Sequence, residues 1–253
     1  MTAERRRPRS RARRVVSFAV LTVVGLLVAG VVGIVIWSQV GVMDAEAGAW
    51  DEVRQDDRIA ISDTGGNVVL SRAEGESEIG LVFVPGAKVQ AEAYAAKLSE
   101  LVTEGAMAVV ITRPWLNLAF FDPRPLSAFT DAVPDVDTWL VGGHSLGGVR
   151  ACQLSGDADG LVLFASYCSN DVSDSGLPVL SISGSEDGLS TPEKIRDAAP
   201  LLPADAEFVE VPGAAHASFG DYGPQAGDGT PSIEDADMTA EITASVAGLL
   251  PRL

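Results

Sequence analysis

Histidine is nearly missing from this sequence, with only His144 and His216 among 253 residues. Cysteine is equally scarce: Cys152 and Cys168 stand at a spacing that fits no zinc-ligand pattern, so no metal centre is expected. Positive charge is in short supply too, with 18 Lys and Arg against 35 Asp and Glu. Beyond residue 37 the balance is 11 against 34, a net charge of −23. That balance argues against a nucleic-acid partner and disfavours anionic lipid. Most of these acids are expected to form a hydrated surface.

One stretch lacks charge altogether. Val15 to Trp37 is a run of 23 residues, mainly Val, Leu, Ile, Ala and Gly. As a helix at ~1.5 Å per residue it spans about 34 Å, enough to cross a bilayer. It is apolar on every face, unlike the helix of a soluble core. Arg5, Arg6, Arg7, Arg9, Arg11, Arg13 and Arg14 precede it, while Asp44, Glu46, Asp51 and Glu52 follow. The positive-inside bias then predicts a cytoplasmic basic tail over residues 1–14, a transmembrane anchor over 15–37 and an extracytoplasmic remainder. A cleaved secretory signal is the alternative, because Ala45-Glu46-Ala47 offers small residues at a cleavage spacing, but such signals usually carry a shorter apolar stretch. In an exported domain a Cys152–Cys168 disulfide could persist. The disulfide and a pair of buried free thiols both stand, since the sequence supplies no Cα separation.

Residues 38–56 are polar, acidic and small, and read as a linker into one globular domain over 57–253. Within that domain short β-rich runs alternate with helical stretches. Strands are predicted at 58–62, 67–72, 80–84, 107–112, 138–141, 160–164, 178–183 and 207–211. The first two are joined by the hairpin turn Asp63-Thr64-Gly65-Gly66. The later runs are apolar without alternation, as expected of strands covered on both faces. Helices are predicted at 90–104, 146–154, 191–198 and 233–250. In the first, Tyr94, Leu98, Leu101 and Val102 recur at three- and four-residue intervals, and Thr191-Pro192-Glu193 opens the third. A hairpin followed by strand–helix units implies an α/β fold, a three-layer sandwich with a mostly parallel sheet.

Gly143-His144-Ser145-Leu146-Gly147 falls between the strand Trp139-Leu140-Val141-Gly142 and the helix that follows. There a serine sits on a sharp turn that small neighbours permit, its hydroxyl at the sheet's carboxyl edge and near the positive end of a helix. An inert turn capped by Ser145 is the bland alternative. A serine hydroxyl needs an adjacent base, and only two imidazoles exist. His144 is next to the nucleophile with its ring turned elsewhere, which suits packing or a supporting place behind the site. His216 follows the last strand through Pro212-Gly213-Ala214-Ala215, where a loop can bring it to Ser145. Asp187, in Gly184-Ser185-Glu186-Asp187-Gly188, is the expected carboxylate partner, with Glu186 as the neighbouring alternative. Backbone donors for an oxyanion are expected from Leu146, after the nucleophile, and from Ala87 in the loop Val84-Pro85-Gly86-Ala87-Lys88. Lys88 could meet an anionic substrate group, although a solvated lysine is the commoner case. The Gly- and Pro-rich stretch from Gly220 to Pro231 is a loop that shapes the pocket beside His216 or, as slightly preferred, a plain connector.

The strand with its Pro-Gly loop, the Gly-His-Ser-Leu-Gly-Gly elbow, the Gly-x-x-Asp segment and the late His216-Ala217-Ser218-Phe219-Gly220-Asp221-Tyr222-Gly223 resemble the α/β-hydrolase superfamily over residues 57–253, in its compact dienelactone-hydrolase-like branch. Two departures stand out: Pro85 occupies the place where many relatives carry histidine, and only 13 residues separate Phe164 from Pro178, too few for a cap. The resemblance implies acyl transfer in which Ser145 attacks an ester-like carbonyl, His216 shuttles the proton and Asp187 holds the imidazolium, with no cofactor. A small-molecule carboxylic ester or thioester is the expected substrate. The alternatives are a peptidase or amidase on the same triad and a non-catalytic binding module that keeps the fold. The membrane is expected as a partner through the N-terminal helix.

Overall fold

A computed structural model describes residues 11–253; Arg5, Arg6, Arg7 and Arg9 of the expected basic tail lie outside the described residues. The chain divides into a unit ending at Val40 and a second unit, Gly41–Leu253. The first contains one helix, α1 (Arg11–Gln39), unbroken because its Val, Leu, Ile and Ala carry no proline and no charge beyond Arg14. It is long and apolar enough to cross a membrane.

The second unit opens with α2 (Ala47–Gln55), inside the stretch that the sequence reading treats as a linker. Its apolar signal is small, since Val53 is its one fully buried side chain, and acidic neighbours mask it. Then follow β1 (Ile59–Thr64), β2 (Asn67–Arg72), β3 (Ile79–Val84), α3 (Ala95–Thr103), β4 (Ala108–Ile111), a short α4 (Ser127–Thr130), β5 (Thr138–His144), α5 (Leu146–Leu154), β6 (Gly160–Phe164), β7 (Val179–Gly184), α6 (Pro192–Ala198), β8 (Glu207–Val211) and α7 (Asp235–Leu249). All eight expected strands form.

They join one sheet in the order β1-β2-β4-β3-β5-β6-β7-β8. The β1–β2 hairpin turns through Gly65 and Gly66, both at positive φ (60° and 78°), the backbone that a two-residue hairpin turn needs. β2 pairs antiparallel with β4, and every later pairing is parallel. Successive side chains of the parallel strands enter opposite cores. Leu81 and Phe83 pack with Leu98 and Leu101 of α3 and Ile242 and Val246 of α7, whereas Val82, Val141 and Leu163 pack with Phe129 of α4 and Ala151 and Leu154 of α5. Helices thus cover both faces. This is the three-layer α/β arrangement with a mostly parallel sheet.

The chain leaves β3 for β4 on one side and returns to β5 on the other, so the carboxyl ends of β3 and β5 flank a topological switch point, where open α/β sheets hold their ligands. The β6–β7 connection carries no helix. Cys152 of α5 and Cys168 of that connection form a disulfide, with a Cα separation of 5.6 Å, so the disulfide alternative is the one realised.

Candidate active site

Ser145 stands between β5 and α5 at φ 53° and ψ −123°, a conformation that a non-glycine residue adopts only where its surroundings enforce it. Three contacts enforce it here. Its N–H donates to Phe164 O at 3.0 Å, its carbonyl accepts from the Ser166 hydroxyl at 2.6 Å, and Gly147 packs against the end of β3. A Cβ at 147 would fall 2.5 Å from Pro85 O and closer still to Val84 O, so any side chain there would push the elbow off the β3 loop. Ser145, Leu146 and Ala87 are partly exposed while Gly86, His144 and Gly147 around them are buried. The Leu146 N–H opens α5, where the first turn has no intrahelical acceptor for its amides.

The loops after β7 and β8 bring a carboxylate and an imidazole together. His216 Nδ1 lies 2.8 Å from Asp187 Oδ2, and both residues are buried. The other oxygen, Oδ1, accepts the N–H groups of Leu189 and Ser190, each at 2.7 Å, which fixes the carboxylate plane. Asp187 facing Nδ1 holds the proton on that nitrogen and leaves Nε2 with its lone pair, the state a general base needs. Glu186 is exposed and reaches only Ser185, so of the two acids Asp187 is the one in contact with the imidazole.

His144 does more than fill space. Its Nε2 lies 3.1 Å from the carbonyl of His216, and its Nδ1 lies 3.0 Å from the Tyr94 hydroxyl. A carbonyl can only accept, so Nε2 carries the proton and Nδ1 accepts from Tyr94. The Tyr94 oxygen in turn receives the N–H of Gly86 at 2.9 Å. A continuous chain of hydrogen bonds therefore joins the β3 loop to the backbone of His216. Burial, reinforced by the neighbouring His216, holds the His144 imidazole well below its ordinary pKa, and burial lifts the Tyr94 phenol well above its own. Both are neutral at neutral pH.

The stretch from Gly220 to Pro231 is more than a connector. Asp228 Oδ1 accepts the N–H groups of Gly188 (3.1 Å), His216 (3.0 Å) and Gly229 (2.7 Å), and Oδ2 accepts that of Ala217 (2.8 Å). One side chain thus clamps the Asp187 loop to the His216 loop. On the flank of the same loop, buried Lys97 pairs with Asp221 at 2.5 Å and with Asp235 at 2.9 Å. Tyr94, Ser166 and Asp228 are absent from the sequence-level site; only the Asp-Gly pair at 228–229 marks a turn with an acceptor beside it. Among the described residues no group of His, Cys, Asp and Glu is arranged to hold a metal ion.

A model of the alpha/beta hydrolase family matches residues 80–240, from β3 through the His216 loop into α7. The chain belongs to the alpha/beta hydrolase family. Solved structures carry the same fold at low identity. TT1662 from Thermus thermophilus is 14% identical with a TM-score of 0.55, over 77% of this chain and 98% of that one. A CIB-like hydrolase from Thermoplasma acidophilum is 14% identical with a TM-score of 0.52, over 77% of this hydrolase and all of its own length. Est1E from Butyrivibrio proteoclasticus is 12% identical with a TM-score of 0.50, over 76% and 99%. No curated protein matches this hydrolase.

Proposed function

We propose that this hydrolase cleaves a carboxylic ester or thioester through an acyl-enzyme on Ser145, and that α1 holds it in a membrane with the hydrolase domain outside. The observation that carries the catalytic reading is the buried His216–Asp187 contact at 2.8 Å, set against the residue that precedes a strained, partly exposed serine.

In this reading His216 Nε2 takes the Ser145 proton as Oγ attacks the substrate carbonyl. The oxygen that becomes negative is met by the N–H groups of Leu146 and Ala87, fixed before reaction by the elbow and the β3 loop. His216 then protonates the leaving group, and water repeats the sequence to free the acid. Asp187 orients and stabilises the imidazolium throughout.

A fluorophosphonate probe tests it. Wild type is expected to be labelled, with labelling lost in Ser145→Ala and strongly weakened in His216→Ala. Unlabelled, folded wild type would refute the reading. Retention of the full-length chain in membranes after an alkaline wash tests the anchor; release into the supernatant of a chain beginning after residue 47 supports a cleaved signal instead.

A further inference from the structure

Large hydrophobic side chains are rarely left exposed in the Gly41–Leu253 unit. Among its described residues they are Trp115, Phe120, Phe121, Phe208 and Leu253, and three of the five fall within seven residues of one another. Trp115 is 55% exposed, Phe120 57% and Phe121 39%, with the two phenyl rings 4.3 Å apart. The loop that bears them is firmly held. Leu118 and Ala119 are buried beneath it, Arg124 binds the Arg113 carbonyl at 2.9 Å and the Asp122 carboxylate, and Leu116 and Asn117 adopt positive φ. These aromatic rings are therefore displayed by a fixed backbone, and such a patch marks an interaction surface.

Two further observations say what the surface meets. The loop is bonded to the oxyanion-loop segment, since the Lys88 N–H donates to Asn117 O at 2.8 Å, and that segment is also where the chain enters the domain. Met43 N–H donates to Lys88 O at 2.7 Å, and Gln90 N–H to Met43 O at 3.0 Å. Only Val40, Gly41 and Val42 separate Met43 from the end of α1 at Gln39, a reach of at most about 14 Å. The end of α1 is therefore tethered within about 14 Å of Met43, whose N–H is bonded to the Lys88 carbonyl. Charge points the same way. Residues 80–91 and 105–121 contain no Asp or Glu, in a region that carries 34 of them past residue 37. Much of both segments is buried strand, and the residues around the Lys88–Asn117 contact that reach the surface, Ala87, Lys88, Gln90, Trp115, Leu116 and Asn117, include no acid.

We infer that Trp115, Phe120 and Phe121 seat in the headgroup boundary of the bilayer that holds α1, so that the mouth of the Ser145 site opens at the interface and takes amphiphilic acyl esters from that membrane. Trp suits this boundary, where its aromatic body is buried and its indole N–H stays wet, and Phe is an apolar side chain that inserts there. The substrate part of this inference rests on the serine-hydrolase and anchor readings above; the docking part rests on the anchor alone.

The test uses the full-length chain reconstituted in phosphatidylcholine vesicles. With brominated acyl chains in the lipid and Trp37→Phe in both proteins, Trp115→Phe is expected to remove a quenched component of the tryptophan emission that Trp50 and Trp139 do not supply. Hydrolysis is read as the ratio of p-nitrophenyl palmitate held in the vesicles to p-nitrophenyl acetate in water. That ratio is expected to fall at least about tenfold in the triple variant Trp115→Ser, Phe120→Ser, Phe121→Ser. Quenching unchanged in Trp115→Phe overturns the docking, and a ratio within twofold of wild type overturns the substrate class. Wild type that shows the Trp115 quenching but no fluorophosphonate labelling overturns the hydrolase reading and the substrate class together, and leaves the docking supported.

Discussion

Asp228 accepts the backbone N–H of His216 at 3.0 Å while the same oxygen accepts that of Gly188, the residue directly after Asp187. The Asp187 and His216 loops are therefore held together by a carboxylate bonded to their backbone amides. Asp228→Ala strands four amides, and we expect a loss of about 2 to 4 kcal/mol of stability. We also expect a fall in kcat of about 10- to 100-fold, with KM changed far less, because the loss is one of alignment. Urea unfolding and steady-state kinetics on a soluble ester read both. A KM effect larger than the kcat effect would mean that Asp228 belongs to the substrate pocket.

Asp187→Asn keeps the shape and an acceptor for Leu189 and Ser190. It also lets the amide donate toward His216 Nδ1, which turns the imidazole to the wrong tautomer. On the serine-hydrolase reading, kcat falls on the order of 10³- to 10⁴-fold while the melting temperature shifts little. Activity within tenfold of wild type would remove Asp187 from the mechanism.

His144 gives a pH signature in stability. The native imidazole is held well below its ordinary pKa by burial, whereas the unfolded one takes up a proton as the pH falls below about 6.5. Protonation then favours the unfolded chain. The contribution of His144 is complete above pH 6.5 and is lost as the pH falls toward the depressed native value, at about 1.4 kcal/mol per pH unit. In His144→Gln this part of the slope is expected to vanish. Unfolding free energies measured between pH 7 and pH 5 decide it, and parallel curves for the two proteins would contradict the assignment.

The Cys152–Cys168 disulfide closes a loop of 16 residues' separation that runs from the helix after Ser145 to the β6–β7 connection. Cys152→Ser is expected to lower stability by about 3 kcal/mol, by the loop-closure argument. Wild type under reducing conditions should match the variant. Equal unfolding midpoints with and without reductant would show that the bridge adds nothing.

Much of the fold was legible because its strands are continuous apolar runs: Gly80 to Val84 and Gly160 to Phe164 match their observed strands within a residue. Helix α2 was not, because Trp50 and Val53 are too few apolar positions to stand out among Asp51, Glu52 and Asp56. At the site, the Asp187–His216 pairing and the place of Ser145 on the turn after β5 were legible because each residue follows a recognisable strand. The supports were hidden for a common reason. Asp228 and Ser166 act on backbone amides and carbonyls, which leave no trace in residue identity, and Tyr94 is indistinguishable from a core aromatic until its hydroxyl is seen between Gly86 and His144.

The bonds from Gly86 through Tyr94 and His144 to the His216 carbonyl have a single direction, since every donor faces the same way along the chain. Their dipoles add, and each bond strengthens the next. Reversing one member would require a carbonyl to donate, so the wire admits one proton arrangement only. His144, whose ring centroid is 4.5 Å from that of His216, is held neutral by its burial. On the serine-hydrolase reading, the imidazolium formed at His216 meets the Asp187 carboxylate on one side and a neutral ring on the other.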